Sequence, residues 1–479
     1  MKTAVAGRRS LALIVCCLAL VAAFLIKSSV EVSARAPQSQ TSTAAAAQEV
    51  ALCGGEPCTA VVRGGLAFLD RRLRGLNGNG RSCADCHMPT DHFQLSPASV
   101  EARFRLMKLL QRFNPDFDDP LFRPIDADDF RTNLEAASDF RNLRQNGLVR
   151  VVMQLPLNGT VKLVDPAGKV SLETEVDLWR SVPTVNDVKL TGNDLQNPWF
   201  RTPNPTGGYQ LDARFGTLQE QAHGALVAHA QIQNPVPDAL LDDLASFQRV
   251  LFTNNRVRAL SDAIDEGTVP LPDPDPRLNE LEQQGKAVFQ RACAICHGGP
   301  GQSLSPTTPV PVIRYHDILT QCPRPVDPMV PARFAFKPCP ERLGRNAKTY
   351  SVMLSVDIPG PPGSPKAGDI VLRKSSDPGR ALLTGYVGGA PPFDDWNKLD
   401  VPGLRGIRNT APYFHNNSAD TLEEVVDHYI ELFKFIKITA PPPSPQVPAP
   451  PVASTDGVNF DRRPAPEERA ALLAYLRKL

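Results

Sequence analysis

The sequence has almost no excess of either charge. Its 52 lysines and arginines are balanced by 51 aspartates and glutamates. Binding to nucleic acid or to an anionic surface usually requires a clear positive excess, so we expect no nucleic-acid partner. The 479 residues suggest two or three domains, and apolar residues at 42% suffice for buried cores. The 47 prolines, about twice the usual share, predict long irregular connections.

The N-terminus lacks an apolar run long enough for an ordinary transmembrane helix. The run at residues 11–26 follows basic residues and spans 16 positions, whereas a membrane-spanning helix needs about 20. This pattern predicts an export signal over residues 1–36 and a periplasmic protein. Pro37 would hinder cleavage directly after Ala36, so an uncleaved anchor in the inner membrane is the alternative, and only then would the protein contact a membrane.

Cysteine is the residue type that the sequence uses most distinctively. Two of the ten cysteines lie in the N-terminal segment, and four lie in two pentapeptides described below. The remaining four are expected to form local disulfides in an oxidising compartment. The two expected pairs are Cys53 with Cys58 and Cys322 with Cys339.

Two Cys-x-x-Cys-His pentapeptides carry the chemistry of the chain. They are Cys83-Ala-Asp-Cys86-His87 and Cys293-Ala-Ile-Cys296-His297. Thiols at this spacing can each add to one vinyl group of the same porphyrin, and the following histidine then ligates the iron. A zinc site would place two Cys-x-x-Cys pairs about 15–20 residues apart, and a thioredoxin-like pair would follow a strand of a βαβ unit. Neither pattern is present, so we predict two covalently bound haem c groups with His87 and His297 as axial ligands.

The two halves of the chain repeat one plan around these motifs. Apolar residues at helical spacing predict a helix before each motif. Amphipathic helices are predicted to close the halves at residues 240–251 and 467–476. Between motif and closing helix, Thr217 with Glu220 and Thr421 with Glu424 form capping boxes, each of which begins a helix. We therefore predict a mainly α protein with two cytochrome c-like haem domains.

The predicted domain boundaries follow from this repeat. We predict a signal peptide or anchor at 1–36, a linker at 37–60, a first haem domain at 61–260, a linker at 261–277 and a second haem domain at 278–479. Three β-branched stretches at 148–155, 161–164 and 170–176 predict a small β-rich insertion, about 95–180, in the first domain. The proline-rich segment 303–368 is expected to be an extended loop system.

Comparison of the two capped helices predicts the distal ligands. Eight residues after Thr421 is Tyr429, preceded by His428, and eight residues after Thr217 is Ala225. If these helices cross the distal faces, the second haem (haem II) gains Tyr429 or His428 as sixth ligand. The first haem (haem I) then faces a methyl group. An open iron can bind peroxide or dioxygen, whereas a capped iron is better suited to passing electrons.

Residues 401–424, with their Pro-Tyr-Phe-His and Thr-Leu-Glu-Glu segments, resemble the bacterial di-haem cytochrome c peroxidases and their MauG-like relatives. The resemblance extends over most of 60–260 and 278–479. It implies that haem I is the reactive centre, that haem II transfers electrons, and that Tyr429 occupies the position of the sixth ligand in MauG-like proteins. It also implies one bridging Ca²⁺, with ligands at Asn186, Thr410 and Pro412.

The chain departs from that family in the distal pocket of haem I. The family has a glutamine, a proline and an acidic residue there, and the corresponding positions are Gln221, Ala225 and Gln231. A glutamine at 231 has no proton to shuttle, so ordinary peroxidase activity is not expected. In that family a tryptophan lies between the two haems. The corresponding residue of this chain is Leu211, and Trp199 is nearby in the sequence.

The sequence favours an enzyme: a periplasmic di-haem oxidoreductase that reacts with peroxide or dioxygen. Its partner would be a small periplasmic electron-transfer protein, as donor or acceptor. One alternative is a non-catalytic di-haem electron-transfer cytochrome in which His223 or His229 closes haem I. The other is a di-haem oxygenase of a hydrophobic substrate, because a large insertion with loss of the carboxylate also resembles the di-haem rubber oxygenases.

Overall fold

The computed structural model describes residues 51–123, 140–191, 209–298, 346–357, 362–388, 395–439 and 464–479. The predicted export signal, Trp199 and the Cys322 and Cys339 pair lie outside these ranges. Within them, no helix combines the length and apolar character needed to cross a bilayer.

The structure is mainly helical with small sheets, as predicted. The helices of the first half are α1 (Cys58–Leu69), α2 (Cys83–Cys86), α3 (Pro97–Leu110), α4 (Arg141–Asn146), α5 (Val188–Thr191), α6 (Leu218–Ala228), α7 (Asp238–Arg249) and α8 (Asn255–Asp265). Those of the second half are α9 (Glu280–Ala292), α10 (Ala294–His297), α11 (Ala381–Thr384), α12 (Leu422–Thr439) and α13 (Arg469–Leu476). The strands are β1 (Leu52–Cys53), β2 (Glu56–Pro57), β3 (Leu148–Gln154), β4 (Val161–Val164), β5 (Glu175–Ser181), β6 (Lys348–Met353) and β7 (Ile370–Ser375).

In the first half, the helix that leads to the haem motif crosses the closing helix at a glycine. A Cβ atom on Gly64 of α1 would lie 1.8 Å from the carbonyl oxygen of Asp243 in α7, so only glycine permits this approach. One turn further along both helices, the rings of Phe68 and Phe247 pack with their centroids 5.2 Å apart.

The second half repeats this crossing at the same offsets. A Cβ atom on Gly285 of α9 would lie 1.9 Å from the carbonyl oxygen of Ala471 in α13. One turn further along, the ring centroids of Phe289 and Tyr475 are 5.4 Å apart. The repeat supports a duplicated origin for the two halves, while the predicted domain boundaries stay a prediction.

The β-rich region differs from the predicted insertion. Strands β3 and β5 pair antiparallel with each other, as a local insertion would. Strand β4, however, pairs with β6, with Val161 opposite Val352, and β6 pairs with β7. The β-rich region is therefore not confined to the first half. The prediction of an extended loop over 303–368 was also wrong at β6, because residues 348–353 form a paired strand in which Tyr350 and Val352 are fully buried.

Candidate haem sites

The first haem motif forms a single helical turn. The backbone N–H of His87 donates to the carbonyl oxygen of Cys83 at 2.8 Å, so the histidine lies one turn after the first cysteine. The imidazole Nδ1 of His87 lies 3.1 Å from the carbonyl oxygen of Phe93. A carbonyl only accepts, so Nδ1 must donate and Nε2 is left with the lone pair that an iron requires. Burial lowers the pKa of His87 to about 4, which keeps the ring neutral.

The first cysteine of this motif lies in apolar surroundings. Burial raises the pKa of the Cys83 thiol to about 12. Two cysteines at this spacing followed by a histidine are the residues that hold a haem c, so the residues of the first motif fit this group.

Helix α6 and the first motif share an apolar cluster. Cys83 contacts an apolar cluster that includes Phe68 of α1 and Ala222 and Leu226 of α6. The helix begins at its capping box as predicted: the backbone N–H of Glu220 donates to Thr217 Oγ1 at 3.1 Å, and Glu220 Oε2 accepts from the backbone N–H of Thr217 at 3.3 Å. The distal location of α6 stays a prediction.

The predicted distal residues of haem I differ in their surroundings. Gln221 is half-buried on α6, whereas Gln231 is exposed beyond the end of that helix. The side chain of Gln231 accepts a hydrogen bond from Asn79 Nδ2 at 3.2 Å. His223 is exposed, whereas His229 is half-buried, and its carbonyl oxygen accepts a hydrogen bond from Asn79 Nδ2, shortly before the motif, at 2.9 Å. Of the two histidines, His229 is therefore the one placed near the first motif.

The second motif has the same backbone geometry as the first. Helix α9 ends at the motif, and α10 carries Cys296 and His297. The backbone N–H of His297 donates to the carbonyl oxygen of Cys293 at 2.9 Å, which matches the contact in the first motif. The same turn therefore presents both histidines.

Helix α12 is the counterpart of α6 in the second half. The backbone N–H of Glu424 donates to Thr421 Oγ1 at 3.2 Å, so this capping box also forms as predicted. Cys293 and Tyr429 pack against the same apolar cluster. The ring of Phe414 lies 4.7 Å from that of His428 and 6.4 Å from that of Tyr429, so both candidate ligands of haem II line one region.

The predicted calcium ligands converge on one loop of the first half. The side chain of Asn186 donates to the carbonyl oxygen of His92 at 3.4 Å. Gln94 donates to the carbonyl oxygen of Ala411, between Thr410 and Pro412, at 3.2 Å. Asn186 and the 410–412 segment thus both contact residues 92–94. In the part of the chain that the structure describes, no group of three or more His, Cys, Asp or Glu side chains could hold a metal ion, and calcium stays a prediction.

A buried charge cluster joins the two halves, and sequence reasoning missed it. Arg180 at the end of β5 is 3% exposed and donates to Asp377 through two nitrogens at 2.7 and 2.9 Å. It also donates to Asp212 at 2.6 Å. The next residue, Ser181, donates its backbone N–H to the carbonyl oxygen of His415 at 2.7 Å. The cluster and this hydrogen bond therefore hold the end of β5, in the first half, against Asp377 and the segment that precedes α12, in the second half.

The first predicted cysteine pair is joined. Cys53 and Cys58 form a disulfide that closes the β1–β2 turn at the start of α1. It therefore ties the beginning of the leading helix to the preceding turn.

No protein-family model matches the chain, and no curated protein matches it either. Several solved structures do match. A MauG-like protein associated with microbial copper homeostasis is 18% identical over 88% of each chain, with a TM-score of 0.36. The diheme peroxidase BthA from Burkholderia thailandensis is 15% identical over 88% of this chain and 86% of its own, with a TM-score of 0.34. Hydrazine synthase from Kuenenia stuttgartiensis is 14% identical over 94% of this chain and 100% of its own, with a TM-score of 0.35. The chain is thus similar to MauG-like and diheme peroxidase structures. Because the TM-scores are low, its function is argued below from its own residues.

Proposed function

We propose that the protein is a periplasmic di-haem c-type oxidoreductase that reacts with peroxide or dioxygen. The observation that carries this proposal is the repeated module: each Cys-x-x-Cys-His turn follows a helix that crosses a closing helix at a glycine. When bound, haem I would supply an iron open to peroxide or dioxygen, and haem II would supply an electron-transfer iron.

The residues around the first motif define what the protein itself contributes at haem I. His87 would hold the iron through Nε2, because Nδ1 is engaged by the carbonyl oxygen of Phe93. Gln221 on α6 can donate and accept hydrogen bonds but cannot release a proton. Gln231 is exposed and engaged by Asn79. Any proton transfer at this site would therefore fall to His229 or to water, which separates the proposed chemistry from that of an ordinary peroxidase.

At the second motif, His297 would hold the iron, and Tyr429 or His428 would close the opposite side. A six-coordinate iron exchanges electrons with little rearrangement, which suits a site that a small periplasmic electron-transfer protein reduces or oxidises. A calcium ion held by Asn186, Thr410 and Pro412 would sit beside the loop 92–94 and stabilise the contact between the two halves.

The proposal is tested on the purified mature protein. We expect two haems per chain that acidified acetone does not extract, a mass increased by two haems, and a high-spin ferric signal from haem I. Added hydrogen peroxide should change the absorption spectrum. The variants C83A/C86A and C293A/C296A should each retain a single haem. A colourless protein, or one whose ferric haems are both low-spin and unaffected by peroxide, would contradict the proposal.

A second candidate is a non-catalytic electron-transfer cytochrome, and the position of His229 beside Asn79, in the loop before the first motif, favours considering it. In that case His229 would be the sixth ligand of haem I, and the wild-type ferric protein would show no high-spin signal. His229→Ala would then create one. His223→Ala is the matched control, since His223 is exposed on α6.

A further inference from the structure

The residue between the two cysteines of the first motif is a buried carboxylate. Asp85 is 2% exposed and lies in the same helical turn as Cys83 and Cys86. Its Oδ2 accepts hydrogen bonds from the backbone N–H and the hydroxyl of Ser82 at 2.9 and 3.1 Å. These two contacts belong to a capping box that stabilises the start of the helical turn.

Two arginines from other segments also bind this carboxylate. Arg71, in the loop after α1, donates to Asp85 Oδ1 at 2.6 Å, and Arg103 of α3 donates to the same oxygen at 2.8 Å. Arg103 also donates to the backbone carbonyl oxygen of Asp85 at 2.8 Å and pairs with Asp119. Two guanidinium groups within hydrogen-bond distance of one carboxylate favour its charged form. The carboxylate therefore stays ionised.

The second motif has an apolar residue at this position. The residue that corresponds to Asp85 is Ile295. A fixed charge inside a protein acts over several ångströms because the local dielectric constant is far below that of water. The turn that attaches haem I thus carries a carboxylate, bound by two guanidinium groups, where the second motif carries an isoleucine.

We propose that Asp85, together with Arg71 and Arg103, sets the reduction potential of haem I relative to that of haem II. This inference rests on the proposed function, since it requires a haem at each motif. A negative charge beside a haem stabilises the ferric state and lowers its potential, and a positive charge does the opposite. Asp85 and the two arginines therefore act in opposite directions, and their balance gives haem I a potential distinct from that of haem II.

The test is a redox titration of the holoprotein followed by visible absorption of both haems. Asp85→Asn should raise the midpoint potential of haem I, and Arg103→Gln should lower it. Arg103→Lys keeps the charge and should restore a potential near that of the wild type. The potential of haem II should stay unchanged in all three variants and serves as the internal control.

Opposite shifts separate an electrostatic role from a merely structural one. Loosening of the attachment turn would expose haem I to water and move the potential in the same direction in both Asp85→Asn and Arg103→Gln. Shifts of equal sign, or no shift, overturn the inference. If those variants fail to incorporate haem, Arg71→Gln is the deciding variant. The side chain of Arg71 is 50% exposed, so its replacement leaves the core intact. Arg71→Gln should lower the potential of haem I, and an unchanged potential would refute the inference. A wild-type protein without two covalent haems would instead refute the proposed function.

Discussion

Gly64 packs directly against the backbone carbonyl of Asp243, where a Cβ atom would lie 1.8 Å from the oxygen. Gly285 packs against Ala471 in the same way, at 1.9 Å. The neighbour in both crossings is main chain, which cannot rotate away as a side chain can. The separation between the leading and closing helices of each half is therefore fixed by a single glycine. In the second half the Cys-x-x-Cys-His turn follows the leading helix directly, whereas in the first half residues 70–82 lie between them.

Substitution of either glycine by alanine should push its two helices apart. Overpacking of a close contact costs about 1–3 kcal/mol, and the penalty here should be at the upper end or above it because the clash is with backbone. We expect Gly64→Ala and Gly285→Ala to lower the free energy of unfolding by similar amounts, measured by denaturant titration of the holoprotein.

Gly65 provides the matched control for this prediction. A Cβ atom there would lie 3.2 Å from the ring of Phe247, a contact that a small ring movement relieves. Since alanine is favoured over glycine in a helix by about 1 kcal/mol, Gly65→Ala should be neutral or stabilising. Equal destabilisation by Gly64→Ala and Gly65→Ala would show that the carbonyl contact is not what matters.

The Arg180 cluster should be the most sensitive polar site in the described chain. Arg180→Met would leave Asp377 and Asp212, which are 2% and 0% exposed, as buried charges without this arginine. Removal of one partner from a buried ion pair costs about 3–5 kcal/mol.

Arg105→Met is the control for this prediction. Arg105 pairs with Glu101 at the surface, and its side chain is 78% exposed. Such surface pairs contribute about 0.5 kcal/mol or less to stability. Comparable unfolding free energies for the two variants would contradict this prediction.

The same cluster predicts how acid destabilises the protein. Burial raises the pKa of Asp212, but Arg180 and Arg214 outweigh burial and lower it to about 2 from an ordinary value of 3.8. A group whose folded pKa lies below its unfolded pKa contributes stability that is complete above about pH 4 and is lost as the pH falls toward 2. In Asp212→Asn the free energy of unfolding should therefore fall less steeply between pH 4 and pH 2 than in the wild type. Parallel pH profiles of the two proteins would argue against it.

The features that sequence analysis predicted well are those encoded by neighbouring residues. The capping box of Thr217 with Glu220 and the spacing of Cys83, Cys86 and His87 are local, and the structure forms each as a helix start or a helical turn. The Arg180–Asp377 pair joins residues 197 positions apart. No local pattern marks such a pair, since which buried charges meet is decided by tertiary packing.

The β region shows the same limit. The segment 303–368 as a whole is rich in prolines, so a loop was the expectation there. The strand forms because β4, from the other half of the chain, supplies its hydrogen-bonding partner. In the candidate haem sites, the identity of the distal ligands was likewise left open by the sequence, because ligation depends on which side of a helix faces the haem.

Tyr429 and His428 are adjacent on α12, so only one of them can face haem II, because successive residues on a helix point about 100° apart. Tyr429 packs against the apolar cluster that also contacts Cys293, which places its ring on the side of the second motif. We therefore expect Tyr429→Phe to remove the sixth ligand and to convert ferric haem II from low-spin to high-spin, as read by electron paramagnetic resonance. His428→Ala should leave the spin state of haem II unchanged and at most weaken the packing on Phe414, 4.7 Å away. The reverse pattern, a high-spin haem II in His428→Ala and an unchanged one in Tyr429→Phe, would assign the ligand to His428 instead.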